Sequence, residues 1–363
     1  MADPSAKGRK LIVRQEEPLN AGPSLDALRQ RYLTPNHLFF VRNHGSIPHV
    51  DPTAFRLTVT GMVEKPLTLS LDELREAFPT ETRAATLQCA GNRRREMAEV
   101  TPIPGELLWE ADAISNASWG GVRLAEVLGA AGVQADAQHV AFSGLDEVER
   151  EGRSFGFGGS IPLEKALSAE VLLAYEMNGV DLPPEHGCPL RVVVPGYIGA
   201  RSVKWLSEIS VQMEPSHNFF QRSAYRLFPP EVRADTAEWD QGEMLGDLSV
   251  NAVIWKPSEG ETLSAGEILI QGYAVTGAGH RVERVEISVD GGRNWVAARL
   301  GEDDDPWTWR FWAADLRLEP GPVEIIARGW DSGSNSQPED ARSVWNFKGY
   351  MNNSWHRVRA KVA

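Results

Sequence analysis

The sequence predicts an α+β domain followed by an all-β sandwich of the immunoglobulin type. Residues 20 to about 240 mix helix and strand signals, whereas only strand signals remain from about residue 248. The length of 363 residues also favours two domains, because a single hydrophobic core rarely serves a chain of this size. A polar stretch without periodicity, residues 240–243, sets the predicted boundary. We therefore expect an N-terminal extension over 1–32, a first domain over 33–240 and a second domain over 241–363.

Short helices and strands are expected in the first domain. Ser70 is an N-cap residue with Glu73 three positions later, and Leu74 and Phe78 follow on one face. That pattern is typical of a capped amphipathic helix. The other predicted elements are a helix whose first turn contains Pro162, a helix over 121–128 that ends near Gly129 or Gly132, and strands over 56–60 and 190–194.

A β-hairpin is the clearest element of the second domain. Val285, Ile287 and Val289 alternate with polar residues, and two glycines at 291–292 permit a turn before the run at 295–297. The same period of two recurs around 268–270 and 323–327. Several short strands with Gly and Pro turns favour a β-sandwich, although this half has no cysteine and so lacks the disulfide of antibody domains. The core candidates include Trp307, Trp309 and Trp312.

Composition argues against several classes of partner. A formal net charge of −13 disfavours nucleic acid and acidic membranes. No apolar run approaches the roughly 18 residues of a membrane span. The first ten residues contain neither an apolar signal core nor a twin arginine, so we expect a cytoplasmic protein, or a periplasmic one if a leader was removed.

Cys89 stands beside three arginines, at 93–95, in an otherwise acidic chain. Only the thiolate form of cysteine is a good ligand or nucleophile. The chain has two cysteines, Cys89 and Cys188, which cannot make a four-sulfur zinc site or an iron–sulfur cluster unaided. A disulfide between them is disfavoured in a reducing compartment. The residues themselves leave three interpretations open for Cys89: a small buried hydrophobe, a redox thiol, or a metal ligand next to an anion pocket.

Several motifs, taken in order from Leu33 to Val358, resemble the sulfite oxidases. This family uses a molybdenum cofactor and combines an α+β cofactor domain with an immunoglobulin-like dimerisation domain. The haem domain fused to its animal members is absent from this sequence, so a haem-free form is expected. The matching segments are 40–44 (FVRNH), 86–97 around Cys89, 174–179 (AYEMNG), 186–191 (HGCPLR), 199–205 (GARSVKW) and 345–349 (WNFKG).

The resemblance implies that Cys89 is the single protein ligand of molybdenum, whose other sulfur ligands come from the dithiolene of molybdopterin. Thiolate is a soft donor that suits such a centre. Arg191 and Lys204 are expected to neutralise cofactor phosphate, and Ser202 and Val203 to donate through backbone groups. The cofactor-binding positions implied by the family are Phe40, Arg42, Asn43, His44, Cys89, Asp146, His186, Arg191, Ser202, Val203 and Lys204.

The resemblance also implies a pocket for small sulfur oxyanions. Arginine binds two oxygens through its planar fork, and a tryptophan walls such a site. Of the three arginines after Cys89, Arg94 is expected in the pocket, while Arg93 and Arg95 either face solvent or bind the chain. The implied catalytic positions are Arg42, Arg94, Trp109, Tyr225 and Lys348.

Three departures from the family pattern bear on this pocket. Lys348 replaces an arginine, which predicts weaker anion binding because lysine lacks the bidentate fork. Ala224 replaces an aspartate before the active-site tyrosine, which makes the local potential more positive. Asp112 replaces a glycine, and the stretch before Trp109 is one residue longer.

The implied reaction is molybdenum-dependent oxidation of sulfite to sulfate by oxygen-atom transfer. Electrons would pass to dioxygen or to a separate acceptor protein, and the chain is expected to form a homodimer. One alternative is another molybdopterin oxidoreductase, such as a sulfoxide reductase. Clustered cations disfavour it, because a neutral sulfoxide does not need them. A second alternative is a noncatalytic binding module, which would leave the Cys89 motif without a purpose.

Overall fold

Two five-stranded sheets form the framework of the first domain. The computed structural model describes residues 11–150 and 152–363. The strands up to residue 244 are β1 (Ile12–Gln15), β2 (Asn20–Gly22), β3 (Leu57–Gly61), β4 (Leu67–Leu69), β5 (Thr80–Gln88), β6 (Ile114–Arg123), β7 (His139–Arg150), β8 (Arg153–Pro162), β9 (Leu172–Met177), β10 (Val180–Asp181), β11 (Arg191–Val193), β12 (Leu206–Gln212), β13 (Arg226–Leu227) and β14 (Glu243–Met244). One sheet has the order β10-β9-β6-β5 with β11 also paired to β9, and the other has the order β4-β3-β12-β7-β8.

Five short α-helices lie in the described part of the chain, all of them before the second domain. They are α1 (Leu25–Leu28), α2 (Leu71–Ala77), α3 (Arg94–Val100), α4 (Leu124–Ala131) and α5 (Leu163–Ala166). A core cluster joins both sheets to the helices, with Leu74 of α2, Val127 of α4 and Phe142 of β7 all buried in it. A second cluster covers the other face of the β5-β6-β9 sheet and contains Cys89 and Trp109. Both faces of this sheet are therefore buried, and Cys89 enters the interior directly after β5. No helix in the described part of the chain is long and apolar enough to cross a membrane.

The predicted helix at Ser70 is confirmed. The Ser70 hydroxyl accepts a hydrogen bond from the Glu73 N–H at 3.1 Å, and the Glu73 carboxylate accepts from the Ser70 N–H at 2.7 Å. This reciprocal pair is the capping box that the sequence indicates. Strands β3 and β11 lie within the predicted runs 56–60 and 190–194, apart from a shift of one residue at the end of β3.

The start of the third predicted helix was wrong. Residues 121–123 end strand β6, and α4 begins at Leu124 and ends at Ala131, followed by the C-cap Gly132, which has a positive φ. Gly121 pairs with β9 so closely that a Cβ there would lie 2.1 Å from the Leu173 carbonyl oxygen. The sheet ladder therefore takes these residues before the helix can start. Pro162 likewise ends β8 and is the N-cap of α5, so it lies just before the first turn of the helix and not within that turn as predicted.

The second domain is a two-sheet β-sandwich. Its strands are β15 (Asn251–Lys256), β16 (Thr262–Leu263), β17 (Gly266–Val275), β18 (Val282–Ser288), β19 (Val296–Ala297), β20 (Arg299–Leu300), β21 (Arg310–Leu318), β22 (Gly321–Asp331) and β23 (His356–Val362). The sheets have the orders β15-β17-β21-β20 and β16-β23-β22-β18-β19. Inward-facing residues of both sheets, among them Ile270, Ile287, Trp312 and Ile325, form one core.

The predicted hairpin is confirmed, since β18 pairs antiparallel with β19 around residues 291–292. Its polar positions are not exposed, however. Glu286 is buried and bonds to the guanidinium of Arg328 on β22 at 2.8 Å. Trp309 and Trp312 are buried as predicted, whereas Trp307 is only half-buried and packs against the first domain.

A continuous apolar cluster joins the two domains. It contains Tyr225 from the first domain and Tyr273, Trp309 and Tyr350 from the second. The predicted boundary stretch turns back on the first domain, because β14 pairs with β13. The second domain therefore lies directly against the segment that carries Cys89.

Candidate active site

Cys89 lies at the end of β5 in a tightly bonded loop. Its N–H donates to the Ala113 carbonyl at 2.9 Å, and its Sγ accepts from the Gly91 N–H at 3.4 Å. The N–H of Met351, from the second domain, donates to the Ala90 carbonyl at 2.8 Å. Cys89 is thus a fixed sulfur donor, only 6% exposed, with one side open to a cleft.

A cleft that opens to solvent lies beside Cys89 and has a volume of about 680 Å³ including its open mouth. Most of the residues that the resemblance assigned to the cofactor lie around it. Those that line it are Phe40, Arg42, Asn43, His44, Cys89, Asp146, His186, Arg191, Ser202 and Lys204, together with Tyr225 from the expected anion pocket. Phe39, Leu87, Phe157, Gly199, Ala200 and Trp205 complete the lining and were not assigned from the sequence.

Among the described residues, no acidic side chain lies within salt-bridge distance of two cations of the cleft, the buried Arg191 and the half-buried Lys204. Arg191 donates to the carbonyls of His186 at 2.9 Å and Ser202 at 3.0 Å. Lys204 donates to the Asn43 side-chain oxygen and to the Glu185 carbonyl. Burial lowers the pKa of Arg191 to about 9, and burial together with Arg191 lowers the pKa of Lys204 well below its usual range. Such cations are stabilised by a bound anion.

The hydrogen-bonding groups of the cleft suit a phosphorylated pterin. Asn43 Nδ2 and Arg191 Nε are buried donors for which the described residues supply no partner. Asp146 is the one carboxylate among the residues that the structure places around the cleft. Unpaired donors and excess positive charge match the phosphate and the polar pterin edge of molybdopterin, while Cys89 offers the thiolate that molybdenum accepts.

His44 and Tyr225 form a neutral pair at one end of the cleft. The His44 Nε2 and the Tyr225 hydroxyl are 2.8 Å apart. Burial, followed by the charge of Arg42, lowers the pKa of His44 well below its usual value. Burial raises the pKa of Tyr225 to about 12. The phenol therefore keeps its proton at neutral pH, and His44 is uncharged.

His186 and Asp146, which both line the cleft, are held by backbone groups. His186 donates through Nε2 to the Asn36 carbonyl at 3.0 Å, and burial lowers its pKa to about 3. Asp146 accepts from the Phe157 N–H at 3.2 Å, and burial raises its pKa. Both side chains are thus oriented before any ligand binds.

The position of Arg42 depends on a residue that the sequence analysis missed. Asn20, in the predicted N-terminal extension, accepts hydrogen bonds from Arg42 Nη1 at 3.2 Å and from the Asn43 N–H at 2.8 Å. Ala21 and Val41 exchange backbone hydrogen bonds at 3.0 and 2.8 Å, which seats the β1-β2 hairpin on this segment. No local pattern marks Asn20, because its partners lie more than 20 residues along the chain.

Arg94 lies behind the cleft. It is 2% exposed, and its guanidinium lies so close to Gly91 that a Cβ there would be 2.6 Å from Nη2. It donates to the carbonyls of Lys348 at 2.9 Å and Leu107 at 2.8 Å, and lies 5.1 Å from the Tyr350 ring. Tyr350 in turn stacks on Tyr225, which does line the cleft.

Three further predicted site residues also lie outside the cleft lining. Lys348 donates to the Glu106 carboxylate, and Trp109 is fully buried in the cluster that contains Cys89. Val203 packs in the core and accepts from the Val192 N–H through its carbonyl. The Ser202 N–H, expected to donate to the cofactor, already donates to the Gly199 carbonyl at 3.1 Å.

The other two arginines after Cys89 have different environments. Arg93 is fully buried and donates to Asn251 at 2.7 Å and to the Ser354 carbonyl at 2.8 Å, both in the second domain. Arg95 is half-exposed and pairs with Glu110 at 3.2 Å. Arg93 therefore binds the chain, one of the two outcomes anticipated for it, and fastens the Cys89 loop to the second domain.

Comparison with known proteins identifies the family. The sequence model of the oxidoreductase molybdopterin binding domain matches residues 44–220, and that of the Mo-co oxidoreductase dimerisation domain matches residues 243–363. The mitochondrial sulfite oxidase of Macaca fascicularis is 44% identical, with 100% of this chain and 68% of that protein covered. The sulfite oxidase of Arabidopsis thaliana is 42% identical, with 97% of this chain and 94% of that protein covered. The chain belongs to the sulfite oxidase family.

Membership of the sulfite oxidase family confirms the resemblance carried by the motifs. It also makes the protein a molybdopterin oxidoreductase, so the noncatalytic alternative is set aside. The solved sulfane dehydrogenase SoxCD from Paracoccus pantotrophus is similar over 98% of this chain and 90% of its own, with a TM-score of 0.81 and 26% identity. A molybdenum cofactor domain followed by a β-rich dimerisation domain is thus the fold of this chain.

Proposed function

We propose that this protein oxidises sulfite to sulfate, with molybdenum held by Cys89. The overall balance is sulfite plus water giving sulfate, two protons and two electrons. One observation supports the proposal most strongly: a fixed sulfur donor opens on a cleft in which Arg191 and Lys204 have no acidic partner within salt-bridge distance in the described part of the chain. Two relatives similar over almost the whole chain, at 44% and 42% identity, are sulfite oxidases, which favours the same substrate.

The roles of the side chains follow from their chemistry. When bound, the molybdenum cofactor supplies the transferred oxygen atom and accepts two electrons. Arg191 and Lys204 neutralise its phosphate, and Asn43, His44 and His186 bind its polar edges. Phe40 contributes an apolar wall, and Asp146 and Ser202 are further polar groups of the lining.

The substrate oxyanion is bound by cations near Cys89. We assign this role to Arg42, at the cleft surface, and to Arg94 and Lys348 behind it. Preorganised positive groups stabilise negative charge without rearranging during the reaction. Trp109 excludes water from this end, as a buried indole beside Cys89 in the same cluster.

Tyr225 is assigned to proton handling. Its hydroxyl keeps its proton at neutral pH, because burial raises its pKa to about 12. It can donate to a substrate or water oxygen while His44 remains its neutral partner at 2.8 Å. The pair can therefore orient the incoming water without adding charge to the cleft.

A metal analysis joined to a sulfite-dependent dye-reduction assay tests the proposal. In the parent protein, molybdenum content and sulfite-dependent dye reduction should rise together when the cofactor is supplied. Cys89→Ser should lose at least 100-fold in activity, since removal of one essential catalytic interaction commonly costs 10²–10³ or more. Cys188→Ser is the matched control, because Cys188 is half-buried and does not line the cleft.

Three outcomes of this experiment contradict the proposal. Equal molybdenum-dependent activity in Cys89→Ser and the parent would remove the ligand assignment. Turnover of methionine sulfoxide but not of sulfite would favour the sulfoxide reductase alternative. Turnover of a sulfane sulfur substrate but not of sulfite would place the chain functionally with the sulfane dehydrogenase instead.

Several finer assignments remain part of the proposal. The electrons pass to dioxygen or to a separate acceptor protein, and the chain forms a homodimer through its second domain, which matches the dimerisation family. The domain limits of 33–240 and 241–363 and the immunoglobulin type of the sandwich are also proposed. The cytoplasmic location stays a prediction, because the first ten residues on which it was based lie outside the described part of the chain.

A further inference from the structure

Glu106 is ion-paired with two of the cations assigned to the substrate. Its Oε1 accepts from Lys348 Nζ, and its Oε2 lies 3.5 Å from Arg94 Nη1. The carboxylate is largely enclosed, with a side-chain exposure of 17%, against 21% for Lys348 and 3% for Arg94. One carboxylate thus neutralises two cations at the back of the site.

The segment that carries Glu106 connects α3 to β6 and contains neither helix nor strand. Gly105, directly before it, has a φ of 78°, and a Cβ at that position would contact nothing within 4 Å. This is also the stretch that is one residue longer than the family pattern. Glu106 therefore lies outside any helix or strand, on a connection that is tied to Arg94 through the neighbouring Leu107 carbonyl at 2.8 Å.

The charge of Glu106 reaches the cleft itself. Both Glu106 and Arg94 act electrostatically on Tyr225 and on Tyr350, and Lys348 acts on His44. A carboxylate and a sulfur oxyanion need the same thing from Lys348 and Arg94, namely N–H donors with positive charge. Lys348 and Arg94 cannot donate fully to the Glu106 carboxylate and to the oxyanion at the same time.

We propose that Glu106 is a specificity-determining residue that competes internally with the substrate oxyanion for Lys348 and Arg94. The inference rests on the proposed function of these two cations. While Glu106 holds them, the oxyanion must displace a carboxylate before it binds fully, so both sulfite and sulfate bind more weakly. The weaker binding of sulfate favours release of the product. Lys348, a single point charge, is also easier for an anion to exchange than a bidentate arginine.

Glu106→Gln in the molybdenum-loaded protein is the principal test. We expect the KM for sulfite and the Kd for sulfate each to fall about tenfold, because a negative charge within contact of the anion site is removed. kcat should stay equal or fall, as product leaves more slowly. The Kd is measured by calorimetry with sulfate on the oxidised protein, which requires no turnover. Glu106→Ala removes the charge and leaves no polar side chain in its place, and it should also lower the KM for sulfite and the Kd for sulfate.

Glu110→Gln is the matched control. It removes the same charge four residues further along, where the carboxylate pairs with the half-exposed Arg95 and lies 4.0 Å from Arg14. Its sulfate Kd should stay within about twofold of the parent value, as expected for an exposed pair. Adding Lys348→Met to Glu106→Gln should abolish most of the gain in sulfate affinity, because the effect of Glu106 acts through its contact with Lys348.

The outcomes separate this inference from the proposed function. An unchanged sulfate Kd in both Glu106 variants, with sulfite turnover intact, overturns the inference and leaves the function standing. Tighter sulfate binding without any sulfite turnover supports the anion site and overturns the function. An equal gain in Glu110→Gln overturns the inference too, since the effect would then be one of general charge.

Discussion

The side-chain oxygen of Asn20 is 3.2 Å from Arg42 Nη1 and 2.8 Å from the backbone nitrogen of Asn43. One amide therefore anchors a proposed substrate arginine and a proposed cofactor residue. Asn20 is fully buried, and its own Nδ2 is held by the Gln15 side chain and the Pro18 carbonyl. The N-terminal hairpin is thus part of the support of the site.

Asn20→Ala should raise the KM for sulfite about tenfold and change kcat less, because a hydrogen bond to a charged group contributes about 1.5–3 kcal/mol. The measurement is steady-state kinetics on molybdenum-loaded protein with equal metal content. Gln15→Ala is the control, since it loosens the hairpin but removes no contact to Arg42. Equal KM values in the two variants would show that the effect comes from the hairpin as a whole.

The ion pair between Arg14 and Asp112, at 2.6 Å, fastens the same hairpin to the segment after Trp109. Arg14→Met should cost about 3–5 kcal/mol of stability, because it leaves Asp112 buried without its cation. Burial already raises the pKa of Asp112, and Arg14 is the main influence that lowers it. The deficit should therefore be largest above the carboxyl pKa and shrink as pH falls through it, because a protonated carboxyl needs no cation.

Urea unfolding at several pH values measures this deficit. Combining Arg14→Met with Asp112→Gly, the residue typical of the family, should recover most of the lost free energy, because both charges are then gone. No recovery in the double variant would mean that Arg14 acts mainly through its contact with the Trp109 ring, 5.3 Å away.

Two neighbouring arginines offer a matched comparison of buried and exposed charge. Arg93→Ala should lower the free energy of unfolding by about 3–5 kcal/mol, since it removes the hydrogen bonds to Asn251 and Ser354 and leaves Glu96 without its main cation. Arg95→Ala should cost less than about 1 kcal/mol, because its pair with Glu110 is solvent-exposed. Similar losses in both variants, by denaturant unfolding, would contradict the proposed link between domains.

His356 should make the protein less stable in mild acid. Its Nδ1 accepts from the Ile254 N–H at 3.2 Å, and burial lowers its pKa to about 4. The unfolded chain binds the proton near pH 6.5 but the folded protein does not, so stability is lost as pH falls from about 6.5 to 4. His356→Gln should flatten the stability profile there by up to about 1.4 kcal/mol per pH unit. An unchanged slope, measured by urea unfolding at pH 4.5, 5.5 and 6.5, would assign the acid sensitivity to other groups.

Local sequence signals predicted local structure well. The capping box at Ser70, the hairpin around residues 291–292 and the end of α4 before Gly132 depend on residues within a few positions of one another. The predicted start of α4 was wrong because it depends on a distant strand: β9, some 50 residues further along the chain, determines where β6 ends. Period-two alternation also failed to show that Glu286 is buried, since Arg328 supplies its partner from another strand.

In the candidate site, too, some residues were predicted from the sequence and others were not. Eleven of the fifteen residues assigned from the family resemblance line the cleft. Arg94, Trp109, Val203 and Lys348 lie behind it. Asn20 and Glu106 had no signal, since neither residue belongs to a motif and each acts on a distant partner.

The sequence by itself determined the two-domain order, the cofactor family and the identity of Cys89 as the expected molybdenum ligand, because these depend on residue types in short ordered motifs. Only the tertiary structure decided which partners the charged side chains meet. Lys348 donates a hydrogen bond to Glu106, 242 residues away in the sequence, and Arg93 donates one to Asn251, 158 residues away. Electrostatic energy depends on distance in space and on burial, and the sequence separation of two residues determines neither quantity.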